Sequence, residues 1–393
     1  MWLYFILFII PLGVYISNNK KLDNKNPIFL FYYLLFLALF VGLSDMLGGY
    51  DRYIYGEVFD SIADITTRHE SYFAHGAFLM FENEPGYIIL NILISFVTEN
   101  RYIFIFIYTC IVYCLLYISL KEYAKNYPLA LMLFMGLWFF FTFTYLRQVL
   151  GATIIWLGIK YIIDRKFWKF ILVFLTVLTI HKSAIIFFPM YFIPIKKYSV
   201  SSVITVMIIA LLIGLSPLPN ALFNAYGDSS VIEQHADYSA SGSARFAYLL
   251  EVIIFLSIIL SKYYNIGKEK IDIEMLNIAL GFCALLLLFI RSDNGGRLSW
   301  YYMIGIIVTL SNICNKLHKQ SVLSIGVIII CLFLYIRVYN NWQDYLNLYP
   351  YKTFLTNGYR QGDYSHKHYE YDARYDTDKL YRKPLRIEFN LRK

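Results

Sequence analysis

The sequence predicts an all-α protein that crosses a membrane many times. Of its 393 residues, 59% are hydrophobic and 16% are charged, whereas soluble domains average about 25% charged residues. Its mean hydropathy is positive, and apolar stretches long enough to cross a hydrocarbon layer of about 30 Å recur along most of the chain. The net charge of +8 does not indicate a nucleic-acid partner, because most of the excess lies in short loops, where it sets the orientation of a membrane protein.

The apolar pattern predicts about twelve membrane-crossing helices, some of them short or re-entrant. They are 2–17, 28–43, 102–120, 127–143, 146–163, 167–181, 182–195, 200–219, 246–262, 272–290, 298–315 and 321–338. A shorter apolar segment, 84–98, predicts an interfacial or re-entrant helix. The predicted organisation is a transmembrane domain over 1–338, with outer loops at 44–101 and 220–245, followed by a polar C-terminal tail outside the membrane over 339–393.

Lys and Arg are distributed unevenly between the loops on the two sides of these helices. They are concentrated in one alternating set of short loops, at 18–26, 121–126, 164–169, 196–199, 262–271 and 316–320. Short loops rich in Lys and Arg face the cytoplasm. We therefore predict that this set is cytoplasmic and that both termini face outward.

A short polar interruption, His181-Lys182-Ser183, breaks the apolar run FILVFLTVLTIHKSAIIFFPMYFIPI over 170–195. A lysine at a helix centre costs about 2.5–3.5 kcal/mol on insertion scales. A single straight helix here would also put every later loop on the wrong side by charge. We therefore predict two short legs that meet near His181, with His181 and Lys182 lining an outward-facing pocket. The alternative is one helix with a histidine at its midplane.

Four arginines lie at predicted helix ends on the outer side. Arg147 opens LRQVLGATIIWLGIKYII, Arg291 and Arg297 bracket RSDNGGR, and Arg245 precedes FAYLLEVIIFL. Helix N-termini favour anions, and a guanidinium adds a planar donor fork that fits phosphate oxygens. The pattern indicates an anionic phosphate ligand at the outer surface. The alternative is that these arginines only anchor helix ends at the membrane interface.

The first outer loop supplies acidic and aromatic candidates. Asp51, Tyr55 and Phe59 recur at a spacing that puts them on one helix face, and Glu84 opens the short apolar helix of 84–98. A carboxylate near a cationic pocket suits a general base or a ligand for sugar hydroxyls. The alternative for each acid is a solvated loop residue.

The sequence predicts no cofactor and no metal site. It has no Gly-rich phosphate loop of the P-loop or dinucleotide type and no HExxH, so nucleotide-driven transport and zinc hydrolysis lack their residues. Asp45, Asp51 and Asp293 leave a divalent ion open.

The order of these elements resembles the EpsG family, which belongs with the Wzy-type polysaccharide repeat-unit polymerases. The resemblance covers roughly 27–355. It is carried by DRYIYGEVF, EPGYIILNIL, Leu146-Arg147-Gln148, His181-Lys182-Ser183-Ala184, Arg297 followed by Tyr301, and Tyr-Pro-Tyr at 349–351. Two departures stand out: Gly151-Ala152 replaces the frequent alanine pair, and the charged tail after Phe354 is longer than the family pattern.

The resemblance implies a membrane glycosyltransferase of GT-C-like architecture. Such a protein would polymerise lipid-linked oligosaccharide units into O-antigen, capsule or exopolysaccharide at the outer face of the bacterial cytoplasmic (inner) membrane. The donor glycan would be carried on a polyprenyl diphosphate such as undecaprenyl diphosphate. The implied partners are the lipid-linked substrates, membrane lipid, and a chain-length regulator and flippase of the same pathway.

The same resemblance gives the candidate site residues their roles. The catalytic candidates are Asp51 and His181. The diphosphate-binding candidates are Arg147, Arg297, Arg291, Arg245 and Lys182. The glycan-binding candidates are Tyr55, Glu84, Gln148 and Tyr301.

Three other activities would also use outward-facing cationic residues. A flippase would translocate the same lipid-linked sugars without forming a covalent product. A membrane acyltransferase would make an ester, and a single-addition glycosyltransferase or ligase would add one unit only. The products therefore distinguish these activities from a polymerase, which makes a ladder of repeats.

Overall fold

The computed structural model describes residues 2–17, 25–45, 50–219, 244–292, 295–315, 321–342, 348–358 and 377–386. Within these ranges the chain is helical, and its only β-type pairing is an isolated antiparallel bridge between Ser44 and Thr353. The fold class predicted from hydropathy, all-α, is confirmed for the described part of the chain.

The helix bounds follow the apolar pattern closely. In the described ranges the α-helices are α1 (Trp2–Ser17), α2 (Pro27–Leu43), α3 (Tyr50–Arg68), α4 (Pro85–Ser95), α5 (Arg101–Tyr123), α6 (Tyr127–Leu137), α7 (Leu146–Ile163), α8 (Phe167–Ile180), α9 (Val200–Leu215), α10 (Phe246–Ser261), α11 (Lys270–Leu288), α12 (Gly295–Leu298), α13 (Met303–Asn315) and α14 (Val322–Trp342). Short 3₁₀ helices are Ala77–Leu79, Phe139–Phe143, Lys182–Tyr191, Tyr263–Asn265 and Ser299–Tyr302.

Asparagine caps fix where several of these helices begin. The Asn26 side chain accepts hydrogen bonds from the main chain at the start of α2, and Asn100 does the same for α5. Asn126 accepts one from Leu129 at the start of α6. A capping side chain satisfies N–H groups that have no partner within the helix, so each helix starts one residue after its asparagine.

The chain is a multi-pass membrane protein. Among the described residues, four helices are long and apolar enough to cross a membrane: α5, α7, α11 and α14. Seven shorter apolar helices accompany them: α1, α2, α4, α6, α8, α9 and α10. The number of twelve crossings and the GT-C-like architecture stay predictions. The apolar side chains of Ile325, Ile329 and Phe333 recur at helical spacing on α14 and are exposed, as expected of a face that meets lipid.

The predicted pair of short legs around His181 is confirmed. α8 ends at Ile180, and His181 leaves the helix in an extended conformation (φ −155°, ψ 114°). The chain then returns as the 3₁₀ helix Lys182–Tyr191. Arg165, just before α8, donates to the carbonyls of Tyr191 and Ile193 at the end of the return leg. The two ends of the hairpin therefore lie together and His181 is at its tip.

The outer loop predicted at 44–101 contains more helix than the apolar pattern indicated. It holds α3, whose side chains are mixed in polarity, besides the predicted short apolar helix α4. Most of the other predicted outer loop, at 220–245, lies outside the described residues, and so does Asp293.

The described parts of the predicted tail pack on the rest of the protein. α14 runs to Trp342, past its predicted end at 338. Thr353 forms the bridge to Ser44, and the Phe354 N–H donates to the Leu43 carbonyl at 3.1 Å. A further segment, 377–386, which we call the strap, lies against α3 and the start of α5.

Candidate functional site

Glu84 is the centre of a group of charged side chains at one end of the helical bundle. Its Oε1 lies 2.7 Å from His181 Nδ1 and accepts the Lys182 main-chain N–H at 3.1 Å. Its Oε2 forms an ion pair with the Arg147 guanidinium. The start of α4, the tip of the hairpin and the start of α7 therefore meet on one carboxylate.

The local sequence explains why Glu84 and His181 approach so closely. Pro85 occupies the first position of α4, where its missing N–H costs nothing. Gly86 follows, and a Cβ atom there would lie 2.2 Å from Thr179 Oγ1 on α8. A side chain at position 86 would therefore push α4 away from the hairpin and separate Glu84 from His181.

Gly151, which departs from the family pattern, lies against the same hairpin. A Cβ atom at this position would be 3.7 Å from His181 Cβ and 3.6 Å from the Tyr301 hydroxyl, both ordinary contact distances, and 3.3 Å from Val177 Cγ1. An alanine would fit after a small shift of the Val177 side chain. Glycine in place of the family's alanine at position 151 is therefore a small change in packing as well as in residue type.

Aromatic rings surround the Arg147 guanidinium. Its Cζ lies 4.1 Å from the ring centroid of Phe81, 5.3 Å from that of Tyr55 and 5.7 Å from that of Tyr87. Its Nε also donates to the Tyr55 hydroxyl at 3.3 Å. Cation–π contacts strengthen when the cation is desolvated, so Arg147 is held in one place by its rings and by Glu84.

A second arginine, Arg297, lies beside this group and is more open. Its Cζ is 4.1 Å from the ring centroid of Tyr145, and its Nη2 is 3.8 Å from Asp51 Oδ2. Gln148, next to Arg147 on α7, donates from Nε2 to the Arg297 carbonyl at 2.6 Å. The Arg297 side chain is 35% exposed, compared with 17% for Arg147. We call Asp51, Glu84, Arg147, His181 and Arg297 the Glu84 cluster.

Tyr301 fixes the hairpin tip from the other side. Its hydroxyl is 2.9 Å from the Ser183 hydroxyl, and its carbonyl accepts from Trp156 Nε1 at 2.8 Å. Tyr301 is fully buried. These contacts tie the segment after His181 both to the 3₁₀ helix Ser299–Tyr302 and to α7.

The two carboxyl groups of the cluster have different electrostatic environments. Burial raises the pKa of Asp51, and the positive charges of Arg297, Arg147 and His181 oppose that rise without cancelling it. Burial also acts to raise the pKa of Glu84. There the His181 hydrogen bond and the charges of His181 and Arg147 outweigh it, so this pKa is lowered. Glu84 is therefore an ionised anchor, and Asp51 holds a proton more readily.

Most of the predicted site residues converge in this place. Those that do are Asp51, Tyr55, Glu84, Arg147, Gln148, His181, Arg297 and Tyr301, together with the main chain of Lys182. The surroundings of two other predicted arginines differ. Arg291 donates from Nη1 to the Leu215 carbonyl at the end of α9, and Arg245 lines the same cavity as Arg297.

Sequence reasoning missed two features of the site. It gave Glu84 a role as a glycan ligand and did not expect it to join Arg147 to His181. It also did not single out Phe81, Tyr87 or Tyr145, because aromatic residues are 19% of the chain and their number alone distinguishes nothing. An acid directly before Pro-Gly at the start of an apolar helix was the available signal for Glu84, since a buried carboxylate needs partners.

Among the described residues, no group of three or more His, Cys, Asp or Glu side chains could hold a metal ion. Two guanidinium groups and an imidazole oriented by a carboxylate can bind an anion and accept a proton beside it.

Comparison with known proteins identifies one family. A sequence model of the EpsG family matches residues 28–353. The match includes every member of the Glu84 cluster, whereas the strap lies beyond it. No curated protein and no solved structure matches the chain.

Proposed function

The chain belongs to the EpsG family, and from that premise we propose that it polymerises lipid-linked oligosaccharide repeat units into a surface polysaccharide. The donor is a glycan on a polyprenyl diphosphate, and the acceptor is the glycan of another lipid-linked unit. The reaction takes place at the outer face of the bacterial cytoplasmic membrane.

The observation that carries this proposal is the Glu84 cluster itself. Side chains from α3, α4, α7, the hairpin tip and α12 meet at one end of a membrane-embedded bundle. A charged group within a membrane protein is costly and usually functional. Two arginines beside an imidazole–carboxylate pair suit a diphosphate leaving group next to a proton acceptor.

The two arginines have different parts in the proposed reaction. The charge of Arg147 is already balanced by Glu84, and its side chain is mostly buried. Arg297 is more exposed and its contact with Asp51 is long, at 3.8 Å. Arg297 therefore contacts the diphosphate, and Arg147 holds Glu84 in position beside His181.

The chemical step is displacement at the anomeric carbon. An acceptor hydroxyl forms the new C–O bond while the bond to the diphosphate oxygen breaks, through an oxocarbenium-like transition state. Negative charge grows on the departing diphosphate, so Arg297 stabilises the transition state more than the ground state. The leaving group is already good, and the acceptor proton needs only a modest base.

His181 accepts that proton in the proposed mechanism. Ionised Glu84 accepts a hydrogen bond from Nδ1, which fixes the tautomer and leaves Nε2 as the accepting nitrogen of the ring. Asp51 is the other base candidate, and its contact with Arg297 suits it to holding that guanidinium in place. Tyr55, Gln148 and Tyr301 support these groups through the contacts described above.

The experiment that tests this function is deletion of the gene followed by complementation with variants and gel analysis of the surface glycan. The parent restores a ladder of repeats. His181→Ala and Arg147→Ala, present in the membrane at parental levels, leave a single repeat unit attached. Full-length polymer from either variant would remove these residues from the mechanism.

The same products distinguish the other activities. One added unit even with the parent protein would indicate a single-addition transferase, and an ester would indicate an acyltransferase. Translocation of lipid-linked sugar without a new covalent bond would indicate a flippase. Each of these results would contradict polymerisation.

A further inference from the structure

A cavity of about 800 Å³ adjoins the Glu84 cluster and shares Arg297 and Tyr145 with it. Its other walls come from the start of α10, the end of α14, the end of α6, the second half of α11 and the segment from Ser299 to Met303. Ligand pockets commonly measure about 300–1,000 Å³. The cavity is therefore large enough for a ligand that also reaches Arg297.

One wall of the cavity is a continuous group of aromatic rings. Phe141 and Trp300 have ring centroids 4.8 Å apart, and Tyr145 and Trp300 have centroids 5.3 Å apart. Trp342 adds a fourth ring, 5.8 Å from Phe141. Rings that pack on one another in this way form a rigid apolar surface, on which the C–H faces of a sugar can lie.

The cavity also holds an ion pair that the proposed chemistry does not use. Arg337 Nη1 on α14 lies 3.1 Å from Glu251 Oε1 on α10, and both side chains line the cavity. They are 36% and 22% exposed. Charges on apolar helices face polar cavities and mark ligand pathways, so this pair points to a polar occupant.

The charges of the cavity limit which kind of polar occupant fits. Arg337 and Glu251 neutralise each other, whereas Arg245 and Arg297 line the same cavity and make it positive as a whole. The Arg337–Glu251 pair therefore does not itself select an anion. The pair does offer planar N–H donors beside carboxylate acceptors, the combination that sugar hydroxyls require. An isoprenoid chain would gain nothing from either group.

We infer that this cavity binds the oligosaccharide of a substrate, with Glu251 and Arg337 holding its hydroxyl groups and the aromatic wall holding its sugar rings. This inference rests on the proposed function, since it assigns the glycan-binding subsite of the same reaction. Arg297 at the boundary then contacts both the diphosphate and the glycan side of the reacting centre.

The test measures binding without turnover. The probe is the repeat-unit oligosaccharide released from its lipid by mild acid, added to the purified full-length protein in detergent. Quenching of tryptophan fluorescence reports occupancy, because Trp300 and Trp342 line the cavity. Glu251→Gln and Arg337→Gln should each weaken binding by about ten-fold or more, since a hydrogen bond to a charged group is lost.

A matched control exists at the other end of the bundle. Lys125 and Asp272 form an ion pair with an Nζ–Oδ1 distance of 2.8 Å, so Asp272→Asn removes an ion pair without touching the cavity. It should leave oligosaccharide binding unchanged. An exchange of charges, Glu251→Arg with Arg337→Glu, restores an ion pair but not the arrangement of donors and acceptors, and it should remain defective.

The outcomes are decisive in both directions. Unchanged affinity in Glu251→Gln and Arg337→Gln, full recovery in the charge exchange, or displacement of the oligosaccharide by sugar-free polyprenyl phosphate would each overturn the inference. Oligosaccharide binding that depends on the pair in a protein that makes no ladder would uphold the glycan site and refute polymerisation. A parental ladder, together with oligosaccharide binding that does not depend on Glu251 and Arg337, would uphold polymerisation and refute the glycan site.

Discussion

Two carboxylate–arginine groups lie along the same helix, α3, and they differ in what surrounds them. Near the start of α3, Asp51 faces Arg297 at 3.8 Å, next to a cavity. Further along, Asp60 accepts from Arg101 Nε at 2.9 Å and from the Tyr381 hydroxyl at 2.8 Å. The first pair is loose and partly exposed, whereas the second is tight and enclosed by the strap.

The two carboxylate–arginine groups differ in how far the arginine side chain is exposed to solvent. The Arg101 side chain is 1% exposed and the Arg297 side chain is 35% exposed. Arg101 is enclosed by protein groups, so it contributes to the fold and is not available to a ligand. The same chemical pair therefore serves structure in one place and suits ligand binding in the other.

The strap reinforces this contrast. Arg382 pairs with Asp64 on α3 at 2.7 Å, and Lys379 lies 3.6 Å from Asp45, with both of the latter side chains buried. Asn100, the cap of α5, donates to the Lys379 carbonyl at 2.8 Å. The strap thus fixes the half of α3 that lies away from the Glu84 cluster.

The largest expected effect is on stability, from Arg101→Ala. The substitution leaves the Asp60 carboxylate buried without its guanidinium, which costs about 3–5 kcal/mol. Folded protein recovered in detergent should fall sharply, and denaturant titration of what remains should show the loss. A variant as stable as the parent would mean that this pair is not structural.

The next largest effect is on activity, from Arg297→Ala. Loss of one donor to a developing negative charge costs about 10²–10³-fold in rate, while the partly exposed side chain contributes little to folding. Polymer formation by purified protein should drop by that factor, with unfolding unchanged. Arg297→Lys should recover part of the rate. A large loss of stability instead would place Arg297 with Arg101 as a structural residue.

Glu84→Gln should reduce both polymer formation and stability, and its effect on stability should depend on pH. The pKa of Glu84 is lowered in the folded protein, so the carboxylate stabilises the fold above the ordinary Glu pKa of about 4.3. That contribution to the free energy of unfolding, about 1–3 kcal/mol, is lost as the pH falls through the lowered pKa of Glu84. The difference in unfolding free energy between parent and variant should therefore be full at pH 7 and smaller below about pH 4. A difference that does not change with pH would show that the charge of Glu84 does not matter.

The smallest expected effect comes from Arg382→Ala in the strap. Its partner Asp64 is 44% exposed, and partly exposed ion pairs contribute about 0–1 kcal/mol. Denaturant titration should show a loss within that range, and the polysaccharide ladder should be unchanged. A strong defect in the ladder would connect the strap to catalysis.

Hydropathy predicted the helices well because lipid imposes the same requirement on every residue of a span. α7 begins and ends where the apolar pattern placed it, at Leu146 and Ile163. The turn at His181 was predictable from charge asymmetry, since a straight helix would have reversed the later loops. The first inference uses neighbouring residues and the membrane, and the second adds the distribution of Lys and Arg over the loops.

The polar contacts were harder to predict from the sequence because the residues that form them are distant along the chain. Glu84, Arg147 and His181 meet only after three helices have packed, and nothing near any one of them identifies the other two. Arg101 is the last residue of the predicted outer loop 44–101, and nothing next to it in the sequence indicates Asp60 or Tyr381, which enclose it. The strap likewise lies beyond the family match, so neither hydropathy nor resemblance indicated where it docks.

The short length of α8 has a consequence for the surrounding lipid. Its 14 residues rise about 21 Å, which is less than the thickness of a hydrocarbon layer of about 30 Å. Trp168, Leu172 and Leu175 are exposed along this helix, so lipid adjoins it directly. Local thinning of the bilayer is one way in which so short a helix is accommodated. In the proposed reaction, thinning next to His181 would let the carrier's headgroup reach the reacting centre by lateral diffusion within its leaflet.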